Sequence, residues 1–148
     1  CNIRWNNVSD QPGRLEAIAR TGGKIVARHT IETTGEAVSL AALPDNDAWL
    51  SDGTDLQHVR ITALDKRGRR VRTAQGIVPF GVEGDARIVA VVNGDQMSNE
   101  AHVAHHRSLY NGSAVVILRA GCTAGNVTLT ATCDGLKKAV ARLKTRQP

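Results

Sequence analysis

From Ala37 onward, apolar residues recur at every second position in short runs, each closed by Gly, Asp or Asn. That period belongs to β-strands with one buried face. The runs are AVSLAAL (37–43), LQHVRITALD (56–65), GIVPFGVEG (76–84), ARIVAVVN (86–93), SAVVILRAG (113–121), NVTLTATC (126–133) and KAVARLK (138–144). This number of strands in a stretch of this length predicts an immunoglobulin-like β-sandwich over 37–148. Three earlier runs, NIRWNNV (2–8), GRLEAIAR (13–20) and KIVARHTIET (24–33), also read as strands, with Gly22-Gly23 turning between the last two. Three strands leave an apolar face without a partner. Residues 1–36 are therefore expected to be an incomplete domain, the last strands of an upstream β-sandwich, and the whole chain all-β.

The alternation breaks once. In RIVAVVNGDQMSNE (87–100) a strand runs into Asn93-Gly94, a pair that ordinarily announces a tight hairpin. No return strand is legible in QMSNEAHVAHHRS (96–108), and the pattern resumes near Leu109. The stretch 93–112 is thus expected to be a structured loop capping one end of the sandwich. Asn93 and Gly94 are expected to take the positive φ that turns the chain off the sheet. Asp95 is expected to accept hydrogen bonds from backbone or from Arg107, and Tyr110 with Asn111-Gly112 to restart the sheet.

Composition narrows the class. The 148 residues fit one domain, or one domain plus part of another. No apolar stretch approaches the roughly 20 residues that cross a bilayer as a helix, so no membrane insertion is expected. The net charge of +5 sits in DKRGRRVR (65–72) and KKAVARLKTR (137–146). Neither lies beside stacking aromatics or a groove-reading helix, so both read as solvated basic segments and nucleic acid is not an expected partner. Of the three cysteines, Cys122 and Cys133 lie at opposite ends of a turn and a strand, too far apart to bridge, and read as free thiols.

Candidate chemistry is sparse. His102, His105 and His106 have the spacing that a helical turn would place on one face, but no third strong ligand or intervening glutamate accompanies them. Asp45, Asp47, Asp52 and Asp55 do not have the order of a calcium loop and read as turn residues. Asp95 and Glu100 are too weakly supported to be a glycosidase carboxylate pair. No phosphate loop or nucleophile elbow is present. No catalytic residue, cofactor site or metal site is expected in this chain. Trp49, between two turn clusters, reads as a plug at the end of the sandwich, with a sugar-stacking platform as the alternative.

Three segments taken in order carry a family resemblance: DGTDLQHVRITALDKRGRRV (52–71), GVEGDARIVAVVNGDQMSNE (81–100) and RSLYNGSAVVILRAGCTAGNVTLTATCDGLKKA (107–139). Together they resemble the C-terminal immunoglobulin-like domain of glycoside hydrolase family 2 β-galactosidases. RWNNVSDQPGRLEAIARTGGKIVARHTIETTG (4–35) resembles the end of the sandwich domain that precedes it there. The resemblance implies a retaining glycosidase as the parent, with its two catalytic glutamates in a barrel outside this chain, and an accessory role for the chain itself. It implies the rest of that parent as the partner, with a second subunit or carbohydrate as further candidates, and a periplasmic or extracellular location. The alternatives are a carbohydrate-binding module, which needs exposed aromatics, and an adhesin-type immunoglobulin-like stalk, which predicts tandem repeats.

Overall fold

The structure, a computed structural model, describes Ser9 and residues 11–148. The strand expected over 2–8 lies outside the described residues. The chain divides into two compact units, Cys1–Thr34 and Gly35–Pro148. Among the described residues every regular element is a strand.

The first unit contains a hairpin of β1 (Arg14–Thr21) and β2 (Lys24–Glu32), turned at Gly22-Gly23. Its register sets Leu15, Ala17 and Ala19 opposite Ile31, His29 and Ala27 on one face. The other face is charged, with Glu16 paired to Arg14 at 3.0 Å and to Arg28 at 3.1 Å. The hairpin is amphipathic as its alternation predicts, yet Leu15 and Ile31 remain more than half exposed.

The second unit holds β3 (Ser39–Pro44), β4 (Leu56–Leu64), β5 (Ile77–Glu83), β6 (Ala86–Val92), β7 (His106–Ser108), β8 (Ser113–Ala120), β9 (Asn126–Cys133) and β10 (Leu136–Lys144). Their order, β6-β8-β4-β3-β10-β9-β5-β7, forms two four-stranded layers joined along one side, where β3 and β10 meet in parallel at Ser39 and Lys137. This is an immunoglobulin-like sandwich. Alternate residues fill its interior: Val59, Ile61 and Ala63 from β4, Val116 and Leu118 from β8, Val127, Leu129 and Ala131 from β9. Each Val or Leu taken from water here contributes about 1.5–3 kcal/mol. Trp49 is 1% exposed within this core, its Nε1–H donating to the Asp55 carbonyl at 3.2 Å. It is a plug, and no ring face is left for stacking on a sugar.

The turn at Asp65 is built around a carboxylate. Asp65 is buried and accepts hydrogen bonds from the amides of Gly35, Arg67 and Arg69 and from the Arg69 guanidinium. These donors, the Arg69 amide foremost, hold its carboxyl well below the usual carboxylate range.

One element departs from the predicted pattern. The stretch 96–108, expected to be loop throughout, ends in β7, which pairs with the outer edge of β5 through Ile77↔Ser108, Val78↔Arg107 and Pro79↔His106. The inward-facing residue of this short strand is Arg107, 1% exposed. A strand whose buried position is a charged side chain leaves no apolar alternation to read.

Candidate functional site

The loop 93–112 is assembled from the base upward. On leaving β6, the side chain of Asn93 turns inward: its Nδ2 donates to the Ser108 carbonyl at 2.9 Å, and its Oδ1 accepts from the Asp95 amide and from Arg107 Nη2, both at 3.0 Å. Arg107 Nη1 donates to the Glu100 carbonyl at 3.0 Å, and its Nε lies 3.5 Å from Glu100 Oε2. Glu100 completes the ring by accepting from the Ser108 amide at 3.0 Å, Ser108 Oγ at 2.9 Å and Ser98 Oγ at 3.1 Å. A buried guanidinium is tolerable only when paired and hydrogen-bonded in this way.

Partial burial raises the Glu100 carboxyl, but the donors from Ser108 and Ser98 and the nearby Arg107 charge outweigh it, leaving the pKa below that of an ordinary glutamate. Both Glu100 oxygens are engaged. Asp95 turns the other way: its Oδ1 accepts from the Met97 amide at 3.0 Å and its carbonyl from the Ser98 amide. Of the two donors expected for Asp95, the backbone supplies the bond, while Arg107 donates to Asn93 and Glu100 instead. Asp95 lies too early in the loop, where its short side chain is captured by the next turn of backbone.

Gly94 has the expected positive φ, 82°, but Asn93 does not. Its side chain is already committed to Ser108 and Arg107, so the turn is made by the glycine alone. Asn111, at φ 49°, is the residue that carries a side chain through the left-handed region, followed by Gly112 at 69°. Tyr110 and Ser113 exchange backbone hydrogen bonds across this pair at 3.0 and 3.1 Å, making a two-residue hairpin that restarts the sheet at β8. Tyr110 itself is 42% exposed.

The loop touches both layers. The amide of Val91, on the outer edge of β6, donates to the His102 carbonyl at 2.8 Å, and the amide of Phe80, on the outer edge of β5, donates to the His105 carbonyl at 2.8 Å. It therefore closes the open side of the sandwich, opposite the β3–β10 seam, rather than an end. Edge amides that would otherwise face water are covered. His102 also sets Nδ1 3.3 Å from the Val91 carbonyl, while His105 and His106 are exposed. Among the described residues no three His, Cys, Asp or Glu side chains gather as metal ligands. Cys122 is an exposed thiol and Cys133 a buried one.

The arrangement is a buried cation neutralised by a carboxylate and an amide, a device for holding a loop in one shape. Sequence reasoning named Asn93 and Arg107 but missed Glu100 and Ser108 as their partners. The available signal was phase: Leu109 is buried, and stepping back two residues places Arg107 on the same inward face.

Comparison with known proteins places this fold. The model of the glycoside hydrolase family 2 C-terminal domain 5 matches residues 40–142. The chain belongs to this family. Over 146 residues it is 32% identical to the β-galactosidase BoGH2A of Bacteroides ovatus, an alignment covering 99% of the chain and 17% of that enzyme. It is 27% identical to a β-glucuronidase of Formosa agariphila, covering 96% of the chain and 14% of the relative. A solved glycosyl hydrolase family 2 member from Bacteroides cellulosilyticus superposes with a TM-score of 0.91 at 30% identity, over 95% of the chain and 18% of that structure. The chain thus spans less than a fifth of the length of these relatives, 17% and 14%.

Proposed function

We propose that this chain is the non-catalytic C-terminal accessory part of a retaining, β-galactosidase-like glycoside hydrolase, and that it positions the catalytic barrel or forms contacts between domains or subunits. The observation that carries the reading is the match of nearly the whole chain, 99%, to a β-galactosidase of which it spans only 17%. The geometry of the loop supports it: Asp95 and Glu100, the carboxylates that a glycosidase could have used there, are turned into backbone and serine hydrogen bonds. On this reading the catalytic glutamates lie elsewhere in the parent. The hairpin β1–β2 is read as the last two strands of a preceding sandwich domain, because its apolar face, with Leu15 and Ile31 half or more exposed, is shaped to pack on further strands. Export of the parent to the periplasm or cell surface belongs to the same reading.

The test uses the parent gene. The full-length protein is expected to hydrolyse an aryl β-galactoside, the 148-residue chain to leave it untouched, and a parent ending after Thr34 to lose thermal stability or its native subunit assembly. Hydrolysis by the isolated chain overturns the accessory role. A truncated parent with unchanged melting temperature, assembly and turnover overturns the positioning role. Cell fractionation of the native host reads the location.

A further inference from the structure

At one end of the first layer, β6 and β8 set Arg87 directly opposite Arg119 in antiparallel register. Side chains of such a pair leave the same face of the sheet with Cβ atoms about 5 Å apart, and like charges there repel. Among the described residues neither guanidinium forms an ion pair. The Arg119 Nε is shut off from solvent and has no acceptor. Two facing cations without an acidic partner give this surface a reason to find an anion.

The acids of the neighbouring turns are engaged elsewhere. Asp55 accepts from the amides of Leu50 at 2.8 Å and Leu56 at 2.9 Å, and Asp52 from the amides of Thr54 and Asp55, both at 2.7 Å. Asp85 turns its Oδ2 to the Thr123 amide at 2.8 Å, leaving Oδ1 without a hydrogen bond among the described residues. Arg87, Arg119 and Asp85 line an open notch of about 310 Å³ together with Gly53 and Gly121.

We propose that this notch is a binding site for a single carboxylate. Held between the two guanidiniums, it would accept from their terminal Nη–H groups and turn one repulsion into two charge-assisted attractions. The nearby Asp85 carboxylate disfavours a dianion such as phosphate, and its free oxygen can accept from a hydroxyl beside the bound carboxylate. Two sources present that chemistry: a uronic acid, and a glutamate or aspartate side chain of another polypeptide segment.

The experiment follows the Nε–Hε NMR signals of Arg87 and Arg119 in the full 148-residue chain at constant ionic strength. The probes are sodium glucuronate, N-acetylglutamate N-methylamide and, as the neutral control, glucose. The expected result is a saturable shift at Arg119 with at least one of the two carboxylates and none with glucose. Binding should weaken at least tenfold in Arg119→Gln and in Arg87→Gln, each confirmed as folded by its amide spectrum. Glucuronate binding tenfold more tightly than the glutamyl peptide assigns the site to a sugar acid; equal or tighter peptide binding assigns it to an acidic side chain. Shifts that never saturate, or saturation unchanged by the exposed Arg87→Gln substitution, overturn the proposal.

Discussion

The chain contains the same dipeptide twice, and the fold uses it in opposite ways. Asn111-Gly112 is a two-residue hairpin with both residues at positive φ, closed by reciprocal hydrogen bonds between Tyr110 and Ser113. Asn93-Gly94 follows an equally good strand, yet only the glycine has positive φ, and 11 residues separate Gly94 from the start of β7 at His106. The difference lies in what surrounds each asparagine. Arg70 donates to the Asn111 carbonyl through Nε at 3.0 Å and Nη2 at 2.6 Å, which steadies the turn from outside and leaves the asparagine side chain out of the network. The side chain of Asn93 is drawn inward by Arg107 and Ser108, residues distant in sequence. A local turn preference is worth about 1 kcal/mol, and a buried charge seeking partners is worth more, so the long-range contact wins at one site and is absent from the other.

The sharpest way to break that contrast is to remove the cation. Arg107→Ala should leave Glu100 and the Asn93 amide oxygen without their buried partner and destabilise the second unit by about 3–5 kcal/mol in urea unfolding. A loss below about 1 kcal/mol would mean that the loop holds its shape without the network. Hydrogen exchange should show the amides of Val91 and Phe80 opening with it, since both donate to carbonyls of the loop.

The glycines separate the two turns next. A Cβ on Gly112 would collide with the Val71 carbonyl, on top of the left-handed backbone, whereas a Cβ on Gly94 meets nothing within 4 Å. Gly112→Ala should therefore cost about 3 kcal/mol and Gly94→Ala about 1 kcal/mol, the second being the conformational penalty alone. Equal losses at the two positions would erase the distinction drawn between a packed turn and an open one.

The smallest effect is a change of slope with pH. Because the folded pKa of Glu100 lies below its unfolded value, its contribution is complete above the unfolded glutamate value of about 4.3 and is lost as pH falls through the folded value. Glu100→Gln should thus lie below the wild type in urea midpoint at pH 6 and converge on it as the pH falls through the lowered folded value. Parallel profiles would show that the carboxylate has no special role in the loop. Asp65, also held low, sets a common acid limit for both proteins.

Period-two alternation was enough to place nine of the ten strands among the described residues to within a few positions, because β4, β8, β9 and β10 each bury alternate apolar residues on a single inner face. Trp49 could be assigned to the core from its size and its position between turns. What alternation could not reveal was β7, whose inward residue is an arginine, or the partnership of Asn93, Arg107 and Glu100. Each of those side chains is locally an ordinary loop residue, and only their meeting gives them a common role. The facing of Arg87 by Arg119 is of the same kind: it depends on the register of β6 against β8, which neither strand states alone.

By itself, the sequence determined an all-β chain, the approximate positions and inward faces of its apolar strands, and its family, because those follow from local periodicity and ordered motifs. The tertiary structure alone decided which edges the long loop covers and where charge is buried. Pairing between distant polar groups depends on layers that exist only once the apolar faces have closed on one another.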